Sequence, residues 1–312
     1  MAARLWGALL AADIVFAALV AAALSHQHAM PPILSLTIGL AVLPGLPALI
    51  VLVASLLRAA VAGADAAERR PGPLLRALIT EWFDFDRAIL AIIAVPWLDR
   101  RARGAPSAGR RARSGARRCA RPVLLIHGIL CNRGIWRTWF RPLDTAGFGP
   151  VRTIDLEPLL GDLDFHARTV AQALEDLQRE CEGARVSIVA HSMGGLVARA
   201  ALRRAGPDVI RDIVTIASPH HGTALARWSP SRPARQMRPG SPWLRALAAL
   251  ETHEVPITSL YSAQDNLVVP ARSAVLEGAR ALEFAGVGHM GLLFRRACID
   301  AAIIALGAAA NG

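Results

Sequence analysis

Three residues in the C-terminal two thirds of the chain have the types and the order that acyl transfer requires: Ser192, Asp265 and His289. A serine hydroxyl is a poor nucleophile at neutral pH. It becomes a good one when an imidazole takes its proton, a carboxylate orients the imidazole, and N–H donors await the oxyanion. Ser192 stands in Ala190-His191-Ser192-Met193-Gly194. The apolar, β-branched run Val186–Ala190 before it reads as a buried strand, and the run from Leu196 reads as a helix. This is the strand–turn–helix setting of a nucleophile elbow, with Ala in the place of the first Gly of G-x-S-x-G. The residues two before and two after such a serine must be small, and Ala190 and Gly194 are. Gly195 lets the helix pack closely on its neighbours.

Asp265 follows the strand-like run Ile257–Tyr261, in Ser262-Ala263-Gln264-Asp265-Asn266. His289 lies in the Gly-rich stretch Gly286-Val287-Gly288-His289-Met290-Gly291, after a further run at Leu282–Phe284. The order Ser, acid, His, each after a later strand, is the one this kind of turn calls for. Asp155, Asp162 and Asp164 precede Ser192, against that order. Two backbone N–H groups are expected to form the oxyanion hole. One is that of Met193, directly after the nucleophile at a helix N-terminus. The other is that of Ile129, in Leu125-Ile126-His127-Gly128-Ile129-Leu130, where His127 is expected to brace the loop rather than do chemistry. Leu130, His191, His220, Trp228 and Met237 are candidates for the substrate-pocket wall. The last three fall in Ala217–Leu250, a connection longer and richer in Pro, Arg and Trp than it needs to be, which could equally form a lid or a plain surface excursion.

The elements that must position these groups alternate. Strands are expected at Val123–Ile126, Val151–Ile154, Val186–Ala190, Ile210–Ile216, Ile257–Tyr261 and Leu282–Phe284. Helices are expected near Phe165–Cys181, Ser192–Arg204, Pro242–Leu250 and Met290–Leu306. Such alternation gives an α/β fold, a mostly parallel sheet with helices on both faces, over residues 122–312.

The first 121 residues read differently. Leu5–Leu24 and Ile33–Leu57 are apolar enough for two membrane spans, giving a transmembrane helical hairpin at residues 1–62. Residues 63–121 would hold an interfacial helix at Ala88–Leu98 and the Arg-rich linker Arg100–Arg121. The loop between the spans lacks arginine, whereas Arg58, Arg69, Arg70 and Arg76 follow the second one. The positive-inside rule then puts the catalytic domain on the cytoplasmic face of a bacterial inner membrane. The chain is 54% hydrophobic and carries a net charge of +11, with no lysine and 35 arginines. Because the arginines concentrate without interleaved aromatics, anionic lipid is the expected partner rather than nucleic acid. Cys119, Cys131, Cys181 and Cys298 lack metal-ligand spacing, so no metal site is expected.

Four stretches carry a family resemblance: LLIHGIL at 124–130, VAHSMGGLVAR at 189–199, IASPHHGTALA at 216–226, and the Asp265 and His289 loops. Residues 122–312 resemble the α/β-hydrolase superfamily, and within it the bacterial triacylglycerol lipases. The A-x-S-x-G form resembles the small Bacillus-type enzymes, and the S-P-H-x-G-T segment the Pseudomonas/Burkholderia-type ones. The resemblance implies Ser192, Asp265 and His289 as the triad, Ile129 and Met193 as oxyanion donors, and a cofactor-free ester hydrolase acting on lipids or other esters. Thioesterases and acyltransferases share these motifs, and a catalytically silent membrane module is the reading from a different class. The N-terminal hairpin lies outside the resemblance.

Overall fold

In the computed structural model the described residues are 1–27, 45–61, 71–104, 121–249 and 255–308. Three helices come first: α1 (Ala2–Gln27), α2 (Gly45–Val61) and α3 (Pro71–Gly104). The remainder alternates. β1 (Val123–Ile126) leads through a 3-10 turn, Arg133–Thr138, and α4 (Phe140–Thr145) to β2 (Val151–Ile154). Next come α5 (Leu163–Glu180), β3 (Val186–His191), α6 (Met193–Ala205) and β4 (Ile210–Ile216). After α7 (Arg232–Gln236) and α8 (Pro242–Ala248) the chain closes with β5 (Ile257–Tyr261), β6 (Arg280–Glu283), α9 (Gly291–Phe294) and α10 (Arg296–Ala308).

The six strands form one parallel sheet in the order β2-β1-β3-β4-β5-β6. Parallel strands buried on both faces read as continuous apolar runs, and β1 (VLLI) is buried throughout. The period-2 alternation splits its side chains between two cores. Leu124 and Ile126 join Ile188, Leu174 of α5 and Leu196 of α6 on one face. Val123 and Leu125 join Val189, Val214, Leu260, Leu292 of α9 and Ala302 of α10 on the other.

The second core also takes in the N-terminal helices. Trp6 of α1, Val51 of α2, and Phe85, Ala88, Ile89 and Ile92 of α3 are buried within it. Gly134 explains how close the approach is, since a Cβ there would collide with the backbone of Ala91. Asn132 Nδ2 donates to the carbonyl of Ile92 at 3.1 Å.

These contacts bear on three expectations. Among the described residues no helix is long and apolar enough to cross a membrane. Within these helices Ala2 and Trp6 of α1 and Val51 and Ala54 of α2 are buried against the rest of the chain, while Leu5, Leu19, Leu49, Leu52 and Leu56 are exposed. The second expected span begins outside the described residues, as do Arg69 and Arg70, whereas Arg58 is buried. Ala88–Leu98 is not a separate interfacial helix but the middle of α3, with a buried stripe running through Ala77, Glu81, Phe85, Ala88, Ile92 and Val95. Of the Arg-rich linker, residues 100–104 continue α3 and residues 105–120 lie outside the described ones.

Candidate active site

Ser192 is the residue between β3 and α6, at φ 54° and ψ −127°. A left-handed φ is strained for a residue with a Cβ, at a cost of order 1–3 kcal/mol. The surroundings enforce it. The Ser192 N–H donates to the Ile216 carbonyl at 2.8 Å, which fastens the turn to the end of β4. A Cβ on Gly194 would lie 2.6 Å from the His127 carbonyl and 2.7 Å from that of Ile126. The crowding that demands a small residue two after Ser192 therefore comes from the end of β1. On Gly195 a Cβ would run into the Ser218 hydroxyl.

Asp265 and His289 meet at the same sheet edge. His289 Nδ1 lies 2.9 Å from Asp265 Oδ2 and 3.1 Å from Oδ1, with both side chains buried. Oδ1 also accepts the N–H groups of Leu267 (2.8 Å) and Val268 (2.9 Å), which fix the carboxylate from behind. Burial works against a charged imidazole. The Asp265 carboxylate, and after it Glu81, act in the other direction and leave the pKa of His289 raised.

The residues beside Asp265 hold the histidine loop as well. Gln264 Oε1 accepts the Gly286 N–H at 2.7 Å, and Asn266 Oδ1 accepts the His289 N–H at 3.2 Å. His191 packs its ring on that of His289, with centroids 4.7 Å apart. His191 is thus a buried support for the histidine rather than a pocket wall, and burial first, then His289, keep its pKa well below 6.5.

The loop after β1 packs against Ser192. A Cβ on Gly128 would come within 2.9 Å of the Ser192 Cβ. Gly128 to Cys131 form a turn closed by Cys131 N–H to Gly128 O at 3.4 Å, with Ile129 at its first central position and Leu130 at φ 59°. His127 braces this turn. Its Nε2 accepts the Leu156 N–H at 2.9 Å, so the proton is on Nδ1, which donates to Gly128 O at 2.8 Å. Met193 opens α6, so its N–H has no intrahelical acceptor.

The other sequence candidates are placed elsewhere. Met237 is packed in the core with Leu244 and Leu247, and Trp228 is 65% exposed. His220 bonds Thr215 Oγ1 at 3.0 Å and lines a cleft of about 710 Å³ with Arg199, His221 and Arg245, away from Ser192 and His289. The three early aspartates have structural partners. Asp155 pairs with Arg133, Asp162 caps α5 through the Phe165 N–H at 2.7 Å, and Asp164 accepts the Trp243 indole N–H at 2.9 Å. Cys131 and Cys298 are free thiols, and Cys119 lies outside the described residues. No group of His, Cys, Asp or Glu among the described residues is arranged to hold a metal ion.

A family model described as the alpha/beta hydrolase family matches residues 123–285, more than half of the chain. The chain belongs to the alpha/beta hydrolase family. Among solved structures, this α/β-hydrolase is similar to Aspergillus fumigatus lipase B, with 23% identity and a TM-score of 0.57 over 63% of this chain and 55% of that one. It is also similar to the mature form of Bacillus licheniformis lipase BlEst2, with 16% identity and a TM-score of 0.50 over 61% of this chain and 91% of that one. Identities this low establish a shared fold. The chain thus matches little more than half of the Aspergillus protein's length. No curated protein sequence matches the chain.

The N-terminal helices reach the site from outside the family match. Trp6 Nε1 donates to the Leu130 carbonyl at 2.8 Å, Arg58 donates to the Ala263 carbonyl at 2.8 Å, and the Glu81 carboxylate meets the residues after His289. Sequence reading missed these three, together with Gln264 and Asn266. Glu81 alone left a signal, as an acid four residues from Ala77 and from Phe85 on an otherwise apolar helical stripe.

Proposed function

We propose that this α/β-hydrolase is a serine carboxylic-ester hydrolase of the lipase/esterase kind, working at a membrane surface on lipid or membrane-partitioned esters. The observation that carries the chemistry is the buried His289–Asp265 pair at the sheet edge where the strained Ser192 turn also ends. In this reading His289 Nε2 takes the Ser192 proton as the hydroxyl attacks the ester carbonyl. The N–H groups of Ile129 and Met193 receive the oxyanion. His289, now an imidazolium held by Asp265, returns the proton to the leaving alkoxide. A water activated by the same imidazole then attacks the acyl-serine, and Ser192 is regenerated. The lipase names of the similar structures agree with this substrate class.

The membrane reading rests on the outer faces of the N-terminal helices. Leu19 of α1, Leu49, Leu52 and Leu56 of α2, and Leu75, Ile79, Phe83 and Leu90 of α3 are each more than half exposed. Exposed apolar side chains clustered in this way mark a contact surface. The arginine-rich stretch that follows α3 supplies charge suited to anionic headgroups. These helices lie on the bilayer rather than through it. We place the domain on the cytoplasmic face of the membrane, where an anionic leaflet faces the arginines and the free thiols stay reduced. A C-terminal reporter active only in the periplasm would overturn that placement. The substrate class is tested by hydrolysis of p-nitrophenyl esters of increasing chain length with the detergent-solubilised full chain. Turnover rising towards medium and long acyl chains supports the lipid reading, and preference for acetate contradicts it.

A further inference from the structure

Glu81 is 1% exposed on the inner face of α3, and no hydroxyl or water of the reaction described above has any use for it. Its Oε1 accepts the Met290 N–H at 2.7 Å and its Oε2 accepts the Gly291 N–H at 3.0 Å. These are the two residues directly after His289. The fit is tight on the other side of the histidine too, because a Cβ on Gly288 would fall inside the Glu81 carboxylate. The glycine before the histidine and the two amides after it therefore all address one side chain, 208 positions upstream of His289 (289 − 81).

The charged groups around Glu81 are few. From the loop after β5 it faces Asp265, and from the loop after β6 it faces His289. On its own helix, Asp84 is paired with Arg295 at 2.9 Å. Glu81 itself is given two backbone N–H groups and the imidazole. A carboxylate so deeply buried is costly to ionise, and burial lifts its pKa to about 7 against the amides and His289, which pull it down.

We propose that Glu81 is a positioning residue for the reaction: it locks the His289 loop onto α3 and, when ionised, turns a second carboxylate towards the imidazole, in concert with Asp265. The proposal rests on the triad reading of the preceding section. It makes the N-terminal segment part of the catalytic apparatus and not only a means of attachment. In its ionised form the carboxylate favours the imidazolium that forms as Ser192 attacks, and in either form the two clamped amides keep the ring from drifting. Misplacing a reacting group by about 1 Å costs on the order of a hundredfold in rate.

The test uses the full-length protein with a p-nitrophenyl ester, comparing wild type with Glu81→Gln, Glu81→Asp and Ser192→Ala between pH 5 and 9. Glu81→Gln keeps the size and removes the charge. The expected result is an unchanged KM, a kcat lowered by about tenfold or more, and an acid limb of kcat/KM shifted to lower pH, because the imidazole loses a carboxylate that, where ionised, held its proton. Glu81→Asp keeps the charge but is one methylene too short to reach both amides. It should lower kcat while leaving the acid limb near its wild-type position, and it carries the test if the glutamine variant does not fold. A folded Glu81→Gln, or in its absence a folded Glu81→Asp, with wild-type kcat overturns the proposal. So does a loss in Glu81→Gln with no movement of the acid limb, which would mark Glu81 as ordinary packing. Ser192→Ala separates the two levels. If it abolishes turnover while the Glu81 variants are unaffected, only the role of Glu81 fails. If it retains turnover, the triad reading fails and the role of Glu81 fails with it.

Discussion

The Asp265 carboxylate holds the imidazole of His289 through Nδ1, at 2.9 Å and 3.1 Å from its two oxygens, while the Leu267 and Val268 amides hold the carboxylate. An acceptor at Nδ1 puts the remaining lone pair of the neutral ring on Nε2. Asp265→Asn offers an amide whose N–H₂ group can turn towards Nδ1 and favour the opposite tautomer. The expected outcome is a loss of about 10³–10⁴ in kcat with little change in KM. Steady-state kinetics on a soluble p-nitrophenyl ester measures it, and a loss below tenfold contradicts the assigned role.

Gly128 lies so close to Ser192 that a methyl group there would sit 2.9 Å from the Ser192 Cβ and 3.3 Å from the His191 carbonyl. Gly128→Ala should therefore displace the oxyanion turn rather than unfold the domain. The expected result is a kcat reduced by on the order of a hundredfold with an unchanged circular dichroism spectrum. Full activity in this variant would show that the turn does not contribute to the reaction.

Burial raises the pKa of Glu81 from 4.5 to about 7, so between those values the folded protein binds a proton that the unfolded chain releases. Stability from this group is then present at low pH and is lost as pH rises from about 4.5 to about 7, by an amount on the order of 3 kcal/mol. His289, also raised, acts in the same sense above 6.5, whereas the depressed His127, His191 and His220 act oppositely below 6.5. Subtracting the urea-unfolding profile of Glu81→Gln from that of wild type isolates the carboxylate. The wild type should lose stability relative to the variant across that window, and a difference that is flat with pH contradicts the burial argument.

The apolar outer faces of α2 and α3 make a separate prediction. Replacing Leu52, Phe83 and Leu90, all more than half exposed, with serine should leave hydrolysis of a soluble ester unchanged. The same triple variant should lose co-sedimentation with vesicles containing anionic lipid, by about tenfold or more in partition coefficient. Equal binding by variant and wild type would remove these helices from the membrane contact.

The parallel sheet was legible in the sequence for a physical reason. A doubly buried strand needs an uninterrupted apolar run, as in β1 (VLLI), while the expected bounds of β2, β4 and β5 match the observed ones through β-branched residues interspersed with polar ones. The tight turn at Ser192 was legible because it needs small neighbours, and the positions of the Asp265 and His289 loops because each follows a strand. Met290–Leu306 was expected as one helix, yet it is broken at Arg295, whose backbone is extended at φ −72° and ψ 127° and whose guanidinium pairs with Asp84. The N-terminal helices were the least legible part. Leu, Ile and Ala on two sides of a helix fit a bilayer and fit a core with an exposed apolar back equally well, and only tertiary packing separates the two. Trp6, Arg58 and Glu81 reach the site over separations of 124, 205 and 209 residues, a relationship that no local pattern encodes.

The central claim is that Ser192 forms the acyl-enzyme. The most direct measurement is labelling of the full-length protein by a fluorophosphonate probe, with peptide mapping of the adduct and parallel ester turnover by wild type and Ser192→Ala. The account predicts a single adduct on Ser192, prevented by ester substrate, and turnover that vanishes with the alanine variant. Labelling elsewhere, or a folded alanine variant that still hydrolyses esters at the wild-type rate, would contradict it.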